Sequence, residues 1–204
     1  MDNERRSERK LVHHELDFKF WAKSVPGVDA ARPASCPDCG QASRAPGRGL
    51  GLHGHGKRLR QVRGPTGPDG QPVTLVIEVR RFRCRACGAV VTVVPRGLLR
   101  RRLFSAPAIA LALWRLGSLG ESPSVVRSAI SPWSTVGTTA AGGWAQLQRW
   151  SRAVASGALF AGLPAAAEGT ARAVTRRVAM ALRARAPGGV MDASHQVWLG
   201  ALAL

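Results

Sequence analysis

The sequence predicts an α+β chain: a small metal-stapled β domain followed by an all-α region. Three observations carry that expectation. Four cysteines fall in two matching pairs, Cys36-x-x-Cys39 and Cys84-x-x-Cys87, each followed by a glycine. Between the pairs, apolar residues alternate with polar ones at a period of two, the signature of half-buried strands. Beyond Pro95 the chain becomes rich in Ala, Leu and Arg with helical spacing. The expected division is an irregular arm over 1–34, a zinc-ribbon domain over 35–95 and a helical region over 96–204, with room for a helix-turn-helix at about 105–155.

The arm opens with mixed-sign charge and closes with Pro26, Gly27 and Pro33; within it Leu16 to Trp21 alternates enough for one strand or helical turn. Lys57 to Arg63 reads as a strand. It is separated by the turn-forming run Gly64-Pro-Thr-Gly-Pro-Asp-Gly70 from a second strand in which Val73, Leu75, Ile77 and Val79 share one face. Val90 to Val94 is a third β-branched run, stopped by Pro95. In the helical region Ser105 can cap and Pro107 fits a first turn, with Ile109, Leu113 and Leu116 on one stripe before Gly117. Ser122-Pro123 opens a short helix ended by Ser131-Pro132. A Trp-bearing helix begins near Thr139, and another spans about 170–185. The closing segment Val197 to Leu204 is apolar, with no element assigned to it.

Composition narrows the function classes. The 204 residues hold 30 Lys+Arg against 12 Asp+Glu, a net charge of +18, so a polyanionic partner is favoured and a calcium or acidic-ligand role is not. Apolar residues make up 45% of the chain, enough for a core. The N-terminus MDNERRSERK lacks the apolar stretch of a signal peptide, and no run reaches membrane-spanning length: the best candidate, Ala106 to Leu113, ends at Arg115, and Val154 to Ala167 is broken by Gly157, Gly162 and Pro164. A cytoplasmic, nucleoid-associated chain with reduced thiols follows.

Reduced thiols are metal ligands. Two CxxC units supply the four soft thiolates that a closed, structural Zn²⁺ site takes, so Cys36, Cys39, Cys84 and Cys87 are expected to hold one Zn²⁺ per chain. The same cage accommodates iron. A redox pair is the competing reading, but it would open a helix after a strand and has no need of duplication or of matching glycines. His53 and His55 could replace a sulfur ligand, although four thiolates already complete the shell. Charge concentrates on the same region. Between Arg44 and Arg102 fourteen basic residues face only Asp69 and Glu78. Lys57, Arg58, Arg60, Arg63, Arg80, Arg81 and Arg83 are therefore expected to form one phosphate-binding strip along paired strands. In the Trp-bearing helix, Gln146, Gln148, Arg149 and Arg152 would face outward while Trp144, Leu147 and Trp150 pack. Gln146, Arg149 and Arg152 are thus candidate base readers.

The segments Cys36-Pro-x-Cys-Gly, His53-Gly-His-Gly-x-Arg-x-Arg-x-Val-Arg-Gly64 and Val79-Arg-Arg-Phe-Arg-Cys-Arg-x-Cys-Gly88 resemble the N-terminal zinc-binding region of insertion-sequence transposases, most closely an uncharacterised bacterial zinc-ribbon family related to them. The resemblance covers about residues 35–120. It implies recognition of element DNA, with a second copy or a catalytic transposase chain as protein partner. The transposases continue into a domain whose three carboxylates hold two metals. Here only Glu121, Glu168 and Asp192 lie beyond Val94, with no β-rich core between them, so no catalytic residue and no small-molecule substrate are expected. The expectation is a DNA-binding factor, transposase-derived or transposase-associated. The alternatives are a truncated or split transposase subunit and, third, an RNA- or ribosome-associated ribbon, which few ribbon aromatics besides Phe82 would serve.

Overall fold

The structure, a computed structural model, describes residues 11–133, 143–163 and 169–204. These form four strands and six helices: β1 (Leu11–Asp17), α1 (Phe18–Lys23), β2 (Leu52–Pro65), β3 (Pro72–Cys84), β4 (Val90–Arg96), α2 (Ala106–Gly117), α3 (Pro123–Ile130), α4 (Ala145–Ala155), α5 (Ala171–Arg183) and α6 (Ala193–Leu202). The chain divides into two compact units. One comprises Met1–Gln61 and Leu75–Arg100; the other comprises Val62–Thr74 and Arg101–Leu204, so the far end of the β2–β3 hairpin belongs with the helices.

In the first unit the sheet order is β1-β4-β3-β2. β3 runs antiparallel to β4, pairing Arg80 with Val93 and Phe82 with Val91, whereas β1 runs parallel to β4, pairing Leu11 with Thr92 and His13 with Val94. The segment expected as an irregular arm thus supplies a strand and a helix from Leu11 onward. The reason is burial. Phe18 and Trp21 are 1% and 0% exposed, and the Trp21 indole donates to the Glu78 carbonyl at 2.7 Å. A local signal was present as well. Asp17 caps α1, its carboxylate accepting from the Lys19 and Phe20 amides. β4 also continues through Pro95 to Arg96, where a stop was expected. The β3 pairing ends at Val93, so Pro95 withholds no amide that β3 needs.

The second unit is organised around α2. Its residues Ala106 to Leu113 are buried throughout, as a helix surrounded by others must be, with α3, α4, α5 and α6 packed against it. The Ser105 hydroxyl caps it by accepting from the Ala108 amide at 3.2 Å. Glycine sets two close approaches: a Cβ on Gly117 would strike the backbone amide of Arg176 in α5, and one on Gly200 would strike the Leu182 carbonyl. Trp150, 0% exposed, stands edge-on to Phe104 and Trp144 with ring centroids 5.0 Å away in both cases. The Trp-bearing helix starts at Ala145, with Trp144 as its N-cap; its expected start near Thr139 lies outside the described residues. The closing apolar segment is part of a helix, α6, begun by the carboxylate of Asp192 and burying Val197, Trp198, Ala201 and Leu202. No helix among the described residues is long and apolar enough to cross a membrane.

Candidate metal centre and its basic surroundings

Each CxxCG segment closes the same tight turn. The Gly40 amide donates to the Cys36 carbonyl at 2.9 Å and the Gly88 amide to the Cys84 carbonyl at 3.0 Å. The residue before each turn is pinned alike: Cys36 N–H to the Gln41 carbonyl and Cys84 N–H to the Ala89 carbonyl, both at 2.9 Å. Gly40 and Gly88 have φ of +74° and +73°, the left-handed region that a side chain disfavours. Nothing would touch a Cβ at either, so backbone conformation alone calls for glycine there. The second turn joins β3 to β4. The first is flanked by an isolated antiparallel bridge between Ser35 and Ala42.

The long insert between the pairs is accommodated by one backbone stitch. Gly51 N–H donates to the Ser43 carbonyl at 2.9 Å, and the Gly51 carbonyl accepts from the Arg85 amide at 2.8 Å. Gly51 therefore ties the second turn to Ser43, just past the bridge that flanks the first. A Cβ on Gly51 would drive into the Ala42 carbonyl, which explains why this position, invisible as a motif, is a glycine.

The stitch brings the four sulfurs together. All four Sγ atoms lie within 4.8 Å of one another, with Cys36–Cys87 at 3.8 Å and Cys39–Cys84 at 3.7 Å. A tetrahedron with metal–sulfur bonds of about 2.3 Å has edges of about 3.8 Å, so two of the six sulfur pairs already have the spacing of a tetrahedral metal site and the rest lie within about 1 Å of it. They are far from a disulfide bond, and all four thiols are free. Cys36 and Cys84 are buried; Cys39 and Cys87 are exposed. His53 and His55 sit on β2 outside this cluster.

The electrostatics of the four thiols follow from their crowding. Burial raises the Cys36 thiol, against hydrogen bonds from the Asp38 and Cys39 amides. Cys84 also meets a burial penalty, but the Cys87 and Ala86 amides and the neighbouring thiols outweigh it and bring it to about 7. Cys87 is pushed up to about 12, by desolvation first and then by the three other sulfurs, the Ala89 amide opposing. The residue is exposed overall while its sulfur faces its neighbours, so the sulfur cluster accounts for the direction better than burial of the whole side chain. Four adjacent sulfurs cannot all ionise unless a cation sits among them. Backbone amides aimed at the sulfurs supply the outer support such a site needs.

The expected basic strip is only partly available. Arg60 is half-buried and donates to the Leu99 carbonyl, and burial, then Arg58, lowers its pKa. Arg80 shares the Phe82 face and donates to the Pro26 carbonyl at 2.7 Å. Lys57 pairs with Glu78 at 2.6 Å, and the Arg63 guanidinium lies over the Trp133 ring, 5.5 Å from its centroid. The β3–β4 register puts Arg81 and Arg83 together on the opposite face from Arg80. Arg58 and Arg83 are exposed and Arg81 is half-exposed. Arg85, inside the second turn and exposed, belongs with them; its place between two ligands was the signal that could have marked it. Packing also recruits an arginine that the charge count ignored. Arg32, its side chain 6% exposed, lies over the Phe82 ring, donates to the Leu52 carbonyl and pairs with Asp29 at 2.8 Å.

In the helical unit Gln146 is half-exposed on α4, Arg149 and Arg152 are exposed, and Leu147 and Trp150 are buried. Between α3 and α4, residues 134–142 are outside the described set, and with them the connection a helix-turn-helix would use. Glu121 pairs with Arg115 at 2.7 Å and Asp192 caps α6; Glu168 is outside the described residues. Compared with models of protein families, with curated proteins and with solved structures, the chain matches none of them.

Proposed function

We propose that Cys36, Cys39, Cys84 and Cys87 hold one structural Zn²⁺ as a zinc ribbon, and that this ribbon binds the phosphate backbone of duplex DNA as part of a transposase-derived or transposase-associated factor. The observation that carries the reading is the four-sulfur cluster, all Sγ atoms within 4.8 Å of one another, built from two turns with matching backbone hydrogen bonds. Four thiolates fill the shell, so the metal organises the fold and keeps no open position for chemistry. DNA enters through the second turn. β3 leads Arg81 and Arg83 into it, Arg85 lies within it, and Glu78 is the single acid on the strand. Arginine there neutralises phosphates and releases counterions. The transposase connection rests on the sequence resemblance.

Elemental analysis of the purified chain should find one zinc, lost on Cys84→Ser/Cys87→Ser substitution. Metal retained by that variant would overturn the assignment. Duplex binding followed against salt should have a log–log slope of about −0.9 per phosphate contacted, flattened by roughly two to three in an Arg58→Gln/Arg81→Gln/Arg83→Gln variant. Arg60 is left out because its guanidinium is half-buried against the Leu99 carbonyl. An unchanged slope, or preference for RNA over duplex DNA in competition, would remove the DNA reading.

A further inference from the structure

The helical unit carries its own unneutralised cationic face, on α5. Val174, Thr175, Val178, Ala179 and Leu182 are buried, and Arg172, Arg176 and Arg183 are exposed. At 100° and about 1.5 Å per residue, these three arginines fall within about 40° of one another along about 16 Å of helix. Duplex DNA carries about ten phosphates over that length.

No carboxylate faces these arginines among the described residues, and unlike the half-buried Arg60 and Arg80 they stay exposed. The Arg172 guanidinium donates to the Gly120 carbonyl at 3.0 Å, and that of Arg183 to the Gln196 side-chain oxygen at 2.8 Å. Just past the helix, the Arg185 guanidinium donates to the Gly162 carbonyl at 2.7 Å. Neutral acceptors orient a guanidinium and leave its charge and its other donors available. The Arg176 side chain makes no hydrogen bond or ion pair among the described residues. Neither α4 nor α5 contains an acidic residue. The described carboxylates of this unit are committed elsewhere. Glu121 holds Arg115, Asp192 holds Ser194 and His195, and Asp69 lies 3.7 Å from His195.

We infer that the Arg172, Arg176 and Arg183 face of α5 is a second binding surface for the backbone of duplex DNA, separate from the cysteine-bearing unit and not dependent on its metal. Charge complementarity selects a polyanion, and two features select a duplex among polyanions. The apolar stripe of α5 is spent on the interior, with Met180 the large apolar residue left exposed, so the helix has no face to sink into a lipid surface. The arginines are not interleaved with aromatics on which single-stranded bases could stack.

The test uses the full chain with zinc bound, a short fluorescent duplex and a salt titration. An Arg172→Gln/Arg176→Gln/Arg183→Gln variant with wild-type thermal melting should flatten the log–log slope by roughly two to three, while the matching Lys variant keeps it. Should the triple variant not fold, Arg176→Gln alone loses no internal partner and should flatten the slope by about 0.9. An unchanged slope here, with the Arg58/Arg81/Arg83 variant flattened, removes this inference and spares the ribbon reading. The reverse pattern spares this inference and removes the ribbon as the DNA contact. Absence of duplex binding by the wild type removes both. Arginine-dependent capture by phosphatidylserine vesicles without duplex binding would replace DNA with a membrane surface.

Discussion

Gly51→Ala should damage metal binding more than substitution of either glycine in the metal turns. The added Cβ meets a backbone carbonyl, that of Ala42, and also approaches Gln41 Cγ to 3.2 Å. Relief requires moving Gly51, whose N–H and carbonyl bond Ser43 and Arg85 and so tie the second cysteine turn to the segment just past the first. Loss of two backbone hydrogen bonds at about 1 kcal/mol each, with residual overpacking, comes to about 2–3 kcal/mol. Because metal binding and folding of such a unit are one equilibrium, that converts to about 30- to 140-fold weaker zinc binding. Gly88→Ala differs in kind. Its Cβ has open space, and the cost is the left-handed backbone, about 1–2 kcal/mol, offset by about 0.4–1 kcal/mol from a stiffer unfolded chain. A loss of about tenfold or less follows. Gly27→Ala, with open space and an ordinary φ, should be silent. Competition against a zinc chelator reads all three. Affinity of Gly51→Ala within about threefold of wild type, or above that of Gly88→Ala, would refute the stitch as the element that assembles the site.

Four further outcomes are expected. Trp150→Ala should destabilise the helical unit by about 3–5 kcal/mol in urea melts, since it empties the centre of the Phe104–Trp144–Trp150 cluster. Ser105→Ala should cost about 1 kcal/mol by removing the α2 cap, measurable in the same melts. Glu78→Gln should raise duplex affinity and steepen the salt slope by freeing Lys57, with little change in melting because the ion pair is exposed. Asp192 is held below the usual carboxylate range by the Ser194 hydroxyl, then by the His195 ring and amide. Its cap therefore stabilises α6 fully at neutral pH and loses that contribution as pH falls below about 4. Melts of wild type and Asp192→Asn should converge at low pH, and a gap independent of pH would contradict this.

Where a signal was local, the residues announced the structure. The glycine after each CxxC has the positive φ that the turn demands, and Ser105 and Ser122 cap the helices they precede. β1 escaped because its partner, β4, lies some 80 residues away, and parallel pairing leaves no turn between the strands to be seen. α6 escaped because its sequence is apolar on most sides, so burial by neighbours left no amphipathic stripe to read.

By itself the sequence determined the donor set, the net charge and most of the helix starts, since these depend on residue type and on spacings of a few positions. Tertiary structure decided which of those residues meet. It gathered the two cysteine pairs through Gly51, a residue without a motif, because only chain folding brings Ser43 and Arg85 to its two sides. It also sorted the arginines, which composition cannot distinguish. The Leu99 and Pro26 carbonyls claim Arg60 and Arg80, while Arg83 and Arg176 keep their charge toward solvent. A guanidinium's availability depends on how far the fold buries it against its acceptors, and both the cover and the acceptors come from distant parts of the chain.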